Sequence, residues 1–552
     1  MSAESALRLD ATFIDYAIVA IYFLFVLGIG WAARSRISDS IDFFLSGRSL
    51  PAWVTGLAFI SANLGAVEIV GHSANGVSYG FETMHYFWIG AVPAMVFLGI
   101  VMMPFYYGSK VRSVPEFMLR RFGPGAHLVN ALSFAIAQLL IAGVNLLLLA
   151  KVVNALLGWP LWITLVVAAA IVLSYITLGG LSAAIYNEVL QFFVIIAALL
   201  PLTLISLHNV GGWAGLKEKV ADPQHFHTWP GTEISGFEHP IVSVIGLVFG
   251  LGFVLSFGYW TTNFVEVQRS MAADSLSSAR KTPIIGAFPK MLIPFIVVIP
   301  GMVAGATVTP IMDGSAQPND AILYLMRDML PNGLLGVAIA GLLAAFMAGM
   351  AANISAFNTV FSYDLWQSYV VKDRPDNYYL KVGQVATAVA AIVAILTALI
   401  AQNYGNVMDY LQALFGFFNA PLFATFILGM FWKRMTPTAG WAGLVTGTSA
   451  AVAYWAVATF GGTDIAFFNL PGQGTAFVAA SIAFVVDIVV SVAVSLVTTP
   501  KPDHELVGFV KSVTPKDTLT DAHEATLPWY RRTVPLGALC LALALLLNIV
   551  FA

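Results

Sequence analysis

Residues 61–72, Ser61-Ala-Asn-Leu-Gly-Ala-Val-Glu-Ile-Val-Gly-His72, decide how the rest of the chain is interpreted. The segment lies in a long apolar run, yet it contains Glu68 and has glycines at positions 65 and 71. A charge within a spanning segment is costly and by default indicates function. A broken helix would use this composition, because its free carbonyls and N–H groups bind ions and polar solutes. We therefore predict a broken helix here; the alternative is a Glu68 that only pairs with a neighbouring helix.

The composition places the whole chain in a membrane. Of 552 residues, 59% are hydrophobic and 10% are charged, whereas a soluble domain carries roughly 25% charged residues. There is no basic stripe of the kind that binds nucleic acid. The one cysteine, Cys540, excludes an intrachain disulfide framework and a Cys-rich metal site. No cofactor motif stands out, so the expected partners are membrane lipid and a small-molecule substrate.

Apolar stretches of spanning length recur along the chain. A helix that crosses a bilayer needs about 20 apolar residues, because it covers roughly 30 Å at 1.5 Å per residue. It must be a helix, since lipid offers no hydrogen-bond partner to a bare backbone. Fourteen candidate spans lie near 13–33, 50–77, 83–107, 126–157, 160–178, 184–207, 241–264, 284–309, 333–363, 379–402, 407–431, 437–460, 476–498 and 532–552.

The distribution of Lys and Arg among the loops predicts the orientation. If alternate loops are assigned to one side, beginning after the first span, that side holds 21 of the 26 Lys and Arg residues. Cytoplasmic loops carry such an excess. Both termini are therefore expected outside, with the plasma membrane as the expected location. The loop at 499–531 falls on the cytoplasmic side, and 1–552 forms a single membrane domain.

A second irregular stretch opens the seventh span. It contains Gly246, Gly250 and Gly252 and continues through Ser256-Phe-Gly-Tyr-Trp-Thr-Thr-Asn263. Interrupted helices at corresponding positions of two halves indicate an inverted-repeat transporter. We therefore predict a second broken helix in this stretch. The alternative is that these glycines only permit close packing between helices.

Several motifs, in order from about residue 46 to 435, resemble those of one family. They are Gly47-Arg-Ser-Leu-Pro51 leading into Ser61-Ala-Asn63, Val114-Pro-Glu-Phe-Met-Leu-Arg-Arg-Phe-Gly123, Gly179-Gly-Leu-Ser-Ala183 followed by Asn187-Glu-Val-Leu-Gln191, Gln268-Arg269, Phe361-Ser-Tyr-Asp364 and Phe431-Trp-Lys-Arg434. Each motif is weak alone, but the ordered set is specific. By these motifs the chain resembles the sodium–solute symporter family, near its sodium–sugar cotransporter branch.

The resemblance implies a particular all-α membrane fold. Its core is a five-plus-five inverted repeat, known as the leucine-transporter fold, with extra helices at the ends. The first repeat would be 50–207 and the second 241–431. This arrangement agrees with the fourteen spans and the two irregular stretches, which come from the residues alone.

The resemblance also implies a sodium site between the first and eighth core helices. By position, Ser61 and Leu64 would supply carbonyls on the first helix, and the eighth would contribute Ala345, Ala348 and Gly349. Family members with this site usually carry two adjacent hydroxyl residues where this chain has Ala348 and Gly349. Cations like sodium prefer oxygen ligands, so the site should be strongly weakened.

The substrate pocket carries over less well from the family. Matched to the sugar-transporting members, it would be lined by Glu68, His72, His85, Phe87, Ser256, Tyr259, Trp260, Lys290 and Gln412. Glu68 stands where a glutamine is familiar, and Phe87 stands where a glutamate is. Taken by itself, Lys290 heads the eighth span and could extend to the cytoplasm. Sugars, polyols, carboxylates and amino-acid-like solutes all stay open as substrates.

The interpretation that follows is a secondary transporter that imports a small organic solute by alternating access. Sodium is the expected coupling ion by resemblance. Proton coupling through Glu68, His72 or His85 is the alternative, and so is uncoupled, facilitated passage. Two other classes are a non-transporting membrane sensor and a membrane-embedded enzyme. The enzyme is not expected, because only Glu68 with a histidine offers a catalytic pair. The oligomeric state is left open.

Overall fold

The structure is a computed structural model that describes residues 7–33, 45–65, 67–402, 407–461 and 470–552. Within these ranges the side chains of residues 175–180 and 523 are left out, and Ala66 lies outside the described residues. The helices of the membrane region are α1 Phe13–Ala33, α2 Ala52–Asn63, α3 Val67–Met84, α4 Tyr86–Gly108, α5 Pro124–Leu157, α6 Leu161–Asn209, α7 Pro240–Thr262, α8 Leu276–Thr307, α9 Leu334–Val370, α10 Asp376–Ala401, α11 Val407–Phe431, α12 Pro437–Phe460, α13 Gly474–Val497 and α14 Thr533–Val550.

The number of spans agrees with the sequence-based count of about fourteen. Among the described residues, twelve helices are long and apolar enough to cross a membrane, and the bent pair α2–α3 makes up to thirteen. The fifth predicted span corresponds to the shorter apolar segment Leu161–Ser174, and the sixth corresponds to Leu181–Asn209, both within α6. The all-α membrane prediction is therefore confirmed, with the count as an approximation.

Burial separates a central helix from a periphery. In α9, 89% of the spanning window is buried, whereas the corresponding shares are 28% in α1 and 22% in α14. The terminal helices therefore lie outside the core, as the resemblance implies. Helix α9 packs against α2, α5 and α6, while α8 packs against both halves of the broken pair α2–α3.

Glycines allow the close approach of α3 to α8. A Cβ on Gly76 would lie 2.4 Å from the carbonyl oxygen of Val298, and one on Gly301 would lie 2.0 Å from the carbonyl oxygen of Ser73. Real Cβ atoms do not come this close to backbone oxygen, so only glycine fits at these positions. The contact fixes α3 against the helix that carries Lys290.

The start of α2 differs from the sequence-based expectation in one detail. Ser49 and Pro51 suggest a capped helix start, and the helix does begin directly after Pro51, at Ala52. However, the Ser49 hydroxyl donates to the carbonyl of Ser46 at 3.0 Å and caps no N–H of α2. The helix start is instead tied to the segment after α7, through Leu50 and Asp274 (N–H to carbonyl, 2.9 Å).

The second irregular stretch, 246–263, is helical through its glycines, so the predicted interruption is confined to its last residue, Asn263. Helix α7 is continuous through Thr262, and Gly246–Ser256 forms a wide π-helical stretch. The packing alternative holds, since a Cβ on Gly250 would lie 3.1 Å from the Cβ of Phe477. The chain leaves the helix only at the end of the stretch, at Asn263 (φ −70°, ψ 116°), whose side chain caps the next helix, Phe264–Met271.

The segment 499–531, which the loop charges assign to the cytoplasmic side, makes specific contacts with the bundle. Leu506 and Val510 are fully buried, and the N–H of Lys511 donates to the carbonyl of Met430 at 2.8 Å. Arg280 at the start of α8 donates to Glu524 at 2.8 Å. The segment therefore packs against the ends of α8 and α11 that carry many of the basic residues.

Candidate functional site

The first irregular stretch forms a break between α2 and α3. Helix α2 ends at Asn63, Leu64 leaves the helical region (ψ 41°), and the two helices are bent by 56°. Helix ends leave carbonyls without intrahelical donors. Among the described residues, no backbone N–H bonds the carbonyls of Ser61 or Leu64. The predicted broken helix is therefore present. It leaves the backbone carbonyls of Ser61 and Leu64 without a backbone hydrogen bond among the described residues.

A cavity of about 80 Å³ lies at this break. Seven of the nine predicted substrate contacts line it: Glu68, His72, Ser256, Tyr259, Trp260, Lys290 and Gln412. The cavity is smaller than the ~150 Å³ that encloses benzene in an engineered protein cavity. A solute larger than benzene therefore requires the walls to move apart.

A buried ion pair dominates the cavity wall. The Nζ of Lys290 on α8 donates to Oε1 of Glu68 on α3 and to Oδ1 of Asn63 at the end of α2. The Lys290 side chain is only 2% exposed and that of Glu68 only 8%. The expectation that Lys290 extends to the cytoplasm is therefore wrong, because the carboxylate and the amide oxygen hold its ammonium inside. Breaking such a pair on one side leaves an uncompensated buried charge, which costs about 3–5 kcal/mol.

Aromatic rings cover the ammonium of Lys290. Its Nζ lies 4.8 Å from the ring centroid of Phe87 and 5.1 Å from that of Trp260. Cation–π attraction at such distances is worth about 2 kcal/mol or more when the cation is desolvated. Trp260 is stacked in turn on Phe59, with centroids 5.7 Å apart. Phe87 thus contacts the charged pair from behind the wall rather than lining the cavity.

His72 lies one helical turn beyond Glu68. Its Nε2 is 3.6 Å from Oε2 of Glu68, and its ring packs 4.7 Å from that of Phe87. The imidazole therefore flanks the carboxylate oxygen that faces away from Lys290. A cavity solute, or a proton, can reach Glu68 and His72 together.

Tyr259 connects the cavity to a second buried acid. Its hydroxyl accepts from the side-chain N–H of Asn63 at 3.1 Å and donates to Oε1 of Glu266 at 2.9 Å. Glu266 lies on the helix that Asn263 caps, so the tyrosine joins the break at Asn63 to the discontinuity after α7. Its ring also packs 4.6 Å from that of Phe415 on α11.

The remaining predicted contacts divide into two groups. Gln412 and Ser256 lie on the cavity wall, and the amide of Gln412 donates to the sulfur of Met408 at 3.2 Å. His85 does not reach the cavity. Its Nε2 lies 2.5 Å from the carbonyl oxygen of Thr228, and its ring packs 4.0 Å from that of Trp229. His85 is therefore held by the 208–240 loop. Assigning it to the pocket from the position of a residue in related proteins could not reveal this contact.

Glu188 lies in a second buried pair, away from the cavity. Its carboxylate accepts from Nη2 of Arg269 at 2.5 Å and from Nε at 3.3 Å. Glu188 is only 1% exposed, so this pair is closed to solvent. Glu188 and Arg269 therefore compensate each other's charge inside the folded protein.

Sequence reasoning missed three polar residues on the cavity wall, Asn63, Asn145 and Asn353. Asn63 is part of the Ser61-Ala-Asn63 motif and could have been assigned from it. Asn145 and Asn353 are isolated amides in apolar helices. A buried amide in a spanning helix is a usable signal, since it needs a polar partner inside the bundle.

Two of the predicted sodium-site positions, Ala345 and Gly349, lie against Gly65 at the break. Ala345, Ala348 and Gly349 are buried on α9, and the Ser61 hydroxyl is buried without a partner among the described residues. A Cβ on Gly65 would lie 3.2 Å from Cα of Gly349 and 3.7 Å from the carbonyl oxygen of Ala345. The break of α2–α3 therefore rests directly on the backbone of α9.

Comparison with known proteins identifies the family. Residues 43–447 match the sodium:solute symporter family. The chain belongs to this family. The members of this family that the chain resembles are transporters. This similarity points away from an enzyme.

Similar sequences include sodium–sugar and sodium–polyol carriers. A sodium/glucose cotransporter of Vibrio parahaemolyticus is 29% identical over 457 residues, which are 79% of this symporter and 83% of the relative. The sodium/myo-inositol cotransporter 2 of Sus scrofa is 30% identical over 467 residues, 78% of this chain and 68% of the relative.

Solved structures show the same fold. A substrate-bound, outward-open Na⁺-coupled sialic acid symporter matches with a TM-score of 0.72 at 19% identity, covering 89% of this symporter and 99% of that chain. A nucleobase-cation-symport-1 family transporter in a closed conformation matches with a TM-score of 0.50 at 15% identity, covering 84% and 96%. The leucine-transporter-like fold that the sequence motifs imply is thereby confirmed.

Proposed function

We propose that this protein imports a small polar organic solute together with Na⁺, by alternating access. The solute binds in the cavity at the α2–α3 break. The repeats 50–207 and 241–431 rearrange around it, so that one bundle of helices rocks against the other. Both termini lie outside, and the membrane is the plasma membrane, in line with the loop charges.

One observation carries the proposal: the Glu68–Lys290 pair forms the wall of a cavity at a helix break. A purely structural pair could be replaced by packed apolar residues with little loss of stability. Here both groups border an internal space, where a solute can exchange hydrogen bonds with them. Because the cavity is small, the solute enters when the walls move apart and is then enclosed.

The charges of the wall favour a neutral or zwitterionic solute. Glu68 and Lys290 already compensate each other, so an added lone charge would lack a counter-charge in a medium of low dielectric constant. A hydroxyl-rich solute can accept from Lys290 and donate to Glu68. A zwitterion can do the same with its carboxylate and its ammonium. Trp260 and Tyr259 supply flat surfaces for the apolar face of either solute.

Sodium is the preferred coupling ion because broken-helix carbonyls are the usual ligands of this ion in such folds. The relatives named above are sodium-coupled by their descriptions. Proton coupling is the second candidate, and one contact favours it: Nε2 of His72 lies 3.6 Å from Oε2 of Glu68, so an imidazole and a carboxylate adjoin at the cavity. Uncoupled passage and a sensor role are the remaining alternatives, and the open cavity argues against a sensor.

Uptake into proteoliposomes tests the proposal. Purified protein is supplied with a panel of labelled sugars, polyols, amino acids and betaines under an inward Na⁺ gradient, an inward proton gradient, or neither. We expect one neutral or zwitterionic class to accumulate only with the Na⁺ gradient. Accumulation driven by the proton gradient alone would overturn sodium coupling, and no uptake of any solute would overturn the transport function.

A matched pair of variants compares a charge in the cavity with a charge on the surface. Lys290→Met removes the ammonium in the cavity, while Lys217→Met removes a lysine from the 208–240 loop. We expect the first variant to abolish uptake and the second to leave it unchanged.

A further inference from the structure

Asn145 of α5 occupies the space that a side chain at position 349 would fill. A Cβ on Gly349 would lie 2.7 Å from Oδ1 of Asn145, and a Cβ on Gly65 would lie 2.9 Å from the same oxygen. A contact under 3.0 Å forces something to shift. A hydroxyl residue at 349 therefore requires the Asn145 amide to move from its present position.

The oxygen of Asn145 lies at the α2–α3 break, beside Gly65 and Gly349. The carbonyl oxygen of Ala345 is also near Gly65: it would lie 3.7 Å from a Cβ placed on that glycine. The Ser61 hydroxyl is fully buried and has no hydrogen-bond partner among the described residues. The amide nitrogen of Asn145 donates to the carbonyl of Ile141 at 3.2 Å, which turns its oxygen away from its own helix. The side-chain oxygen of Asn145 on α5 and the carbonyl oxygen of Ala345 on α9 thus lie against Gly65, just beyond the end of α2.

We infer that Asn145 supplies the side-chain oxygen of the coupling-ion site, in place of the hydroxyls missing at Ala348 and Gly349. The ligand is a small monovalent cation of the sodium type, which prefers oxygen donors. Asn145 comes from α5, so the substitution moves a ligand from one helix to another. This inference rests on the proposed sodium coupling and adds the residue that makes the coupling possible.

The sterics give the experiment its design. Gly349→Ser alone is expected to clash with Asn145, so it should lower sodium affinity rather than raise it. Asn145→Ala removes both the clash and the ligand oxygen. In the Asn145→Ala background, Gly349→Ser returns a hydroxyl near the vacated position, and Gly349→Ala returns the volume without the oxygen. The two double variants therefore differ only in the oxygen.

The readout is the thermal unfolding midpoint of the purified protein as choline is replaced by sodium at constant ionic strength. A bound ion raises the midpoint by mass action, which yields an apparent affinity without any transport. We expect Asn145→Ala to weaken the apparent sodium affinity by about ten-fold or more. The double variant with Gly349→Ser should recover most of the loss, and the one with Gly349→Ala should not.

Contrary results would overturn the inference in distinguishable ways. If wild type responds to sodium and Asn145→Ala responds equally, Asn145 is no ligand, while the coupling proposal survives. Equal recovery by Gly349→Ala and Gly349→Ser would show that only volume matters, which also removes the ligand role. A wild type that does not respond to sodium contradicts both the inference and sodium coupling.

Asn145→Asp keeps the experiment decisive if the alanine variants do not fold. The aspartate retains an oxygen at the same place and adds a charge that sodium would neutralise. We expect a larger sodium-induced rise of the unfolding midpoint than in wild type. A midpoint independent of sodium would overturn the inference.

Discussion

The ammonium of Lys290 on α8 donates to the carboxylate of Glu68 on α3, and the same nitrogen reaches the side-chain oxygen of Asn63 at the end of α2. One side chain thus connects the two halves of a broken helix to α8. A conformational change that separates α8 from the break must stretch or exchange these bonds. The pair is therefore a contact that a bound solute can replace.

Variants of the Glu68–Lys290 pair should affect stability and transport differently. Lys290→Met leaves Glu68 buried without a counter-charge, and we expect a destabilisation of about 3–5 kcal/mol. The double variant Glu68→Gln/Lys290→Met removes both charges, so it should recover most of the lost stability but none of the uptake. Thermal unfolding and proteoliposome uptake measure the two effects. Uptake at the wild-type rate in the double variant would show that the pair is only structural.

Two histidines should behave differently, although both were expected in the pocket by resemblance. His72→Gln changes a cavity residue beside Glu68, and we expect the KM for the transported solute to rise by about ten-fold, the equivalent of ~1.4 kcal/mol. His85→Gln changes a residue that bonds the backbone of Thr228, so the KM should stay within about two-fold of wild type. Initial uptake rates give both values. Equal effects would mean that His85 moves into the site during transport.

Removing the hydroxyl of Tyr259 should weaken solute binding without unfolding the protein. Tyr259→Phe leaves Asn63 and Glu266 without their shared partner, and a lost hydrogen bond of this kind is worth about 0.5–1.5 kcal/mol. We expect a KM raised about two- to ten-fold and an unfolding midpoint lowered by the equivalent of about 0.5–1.5 kcal/mol. Tyr454→Phe, outside the cavity wall, serves as the control. A variant with unchanged KM would remove Tyr259 from the binding site.

Close helix packing at α3–α8 should tolerate no extra methyl group. Gly301→Ala would place a Cβ 2.0 Å from the carbonyl oxygen of Ser73, and overpacking of this kind typically costs about 1–3 kcal/mol. Gly28→Ala is the control, because a Cβ there would meet nothing within 4 Å. Thermal unfolding of both variants checks the expectation. Equal midpoints would show that α3 and α8 are not held this closely.

The proposed orientation can be tested by chemical labelling. Cys540 is buried, so a Cys540→Ser background allows single cysteines to be introduced at Lys217 and Lys516. A membrane-impermeant thiol reagent added to intact cells should label the cysteine at 217 and spare the one at 516. The reverse pattern would invert the assignment of both termini to the outside.

Much of the fold could be predicted because the lipid bilayer limits the length and the composition of the helices that cross it. Span lengths follow from bilayer thickness, and the polar composition around Glu68 is incompatible with a plain spanning helix. The position of the interruption in the second stretch was not predictable, because glycines serve two purposes. At Gly250 the missing side chain admits Phe477, whereas the chain leaves the helix only at Asn263. Periodicity and composition do not distinguish close packing from unwinding.

Pairing inside the bundle was the least predictable feature. Lys290 and Glu68 are more than two hundred residues apart in the sequence, and a lysine near a helix end is ordinarily expected to extend to the interface. Asn145 gave even less indication, because its importance comes from the absence of a side chain at Gly349 on another helix. Such relations depend on tertiary contacts that a single sequence does not reveal.

Direct binding of the accumulated solute tests the central claim most closely. The purified wild type and the Glu68→Gln/Lys290→Met variant, shown to be folded by its unfolding midpoint, are compared by scintillation proximity with the labelled solute in sodium. We predict saturable binding to wild type and its loss in the folded double variant. Binding of wild-type affinity to the double variant would contradict a solute site at the α2–α3 break.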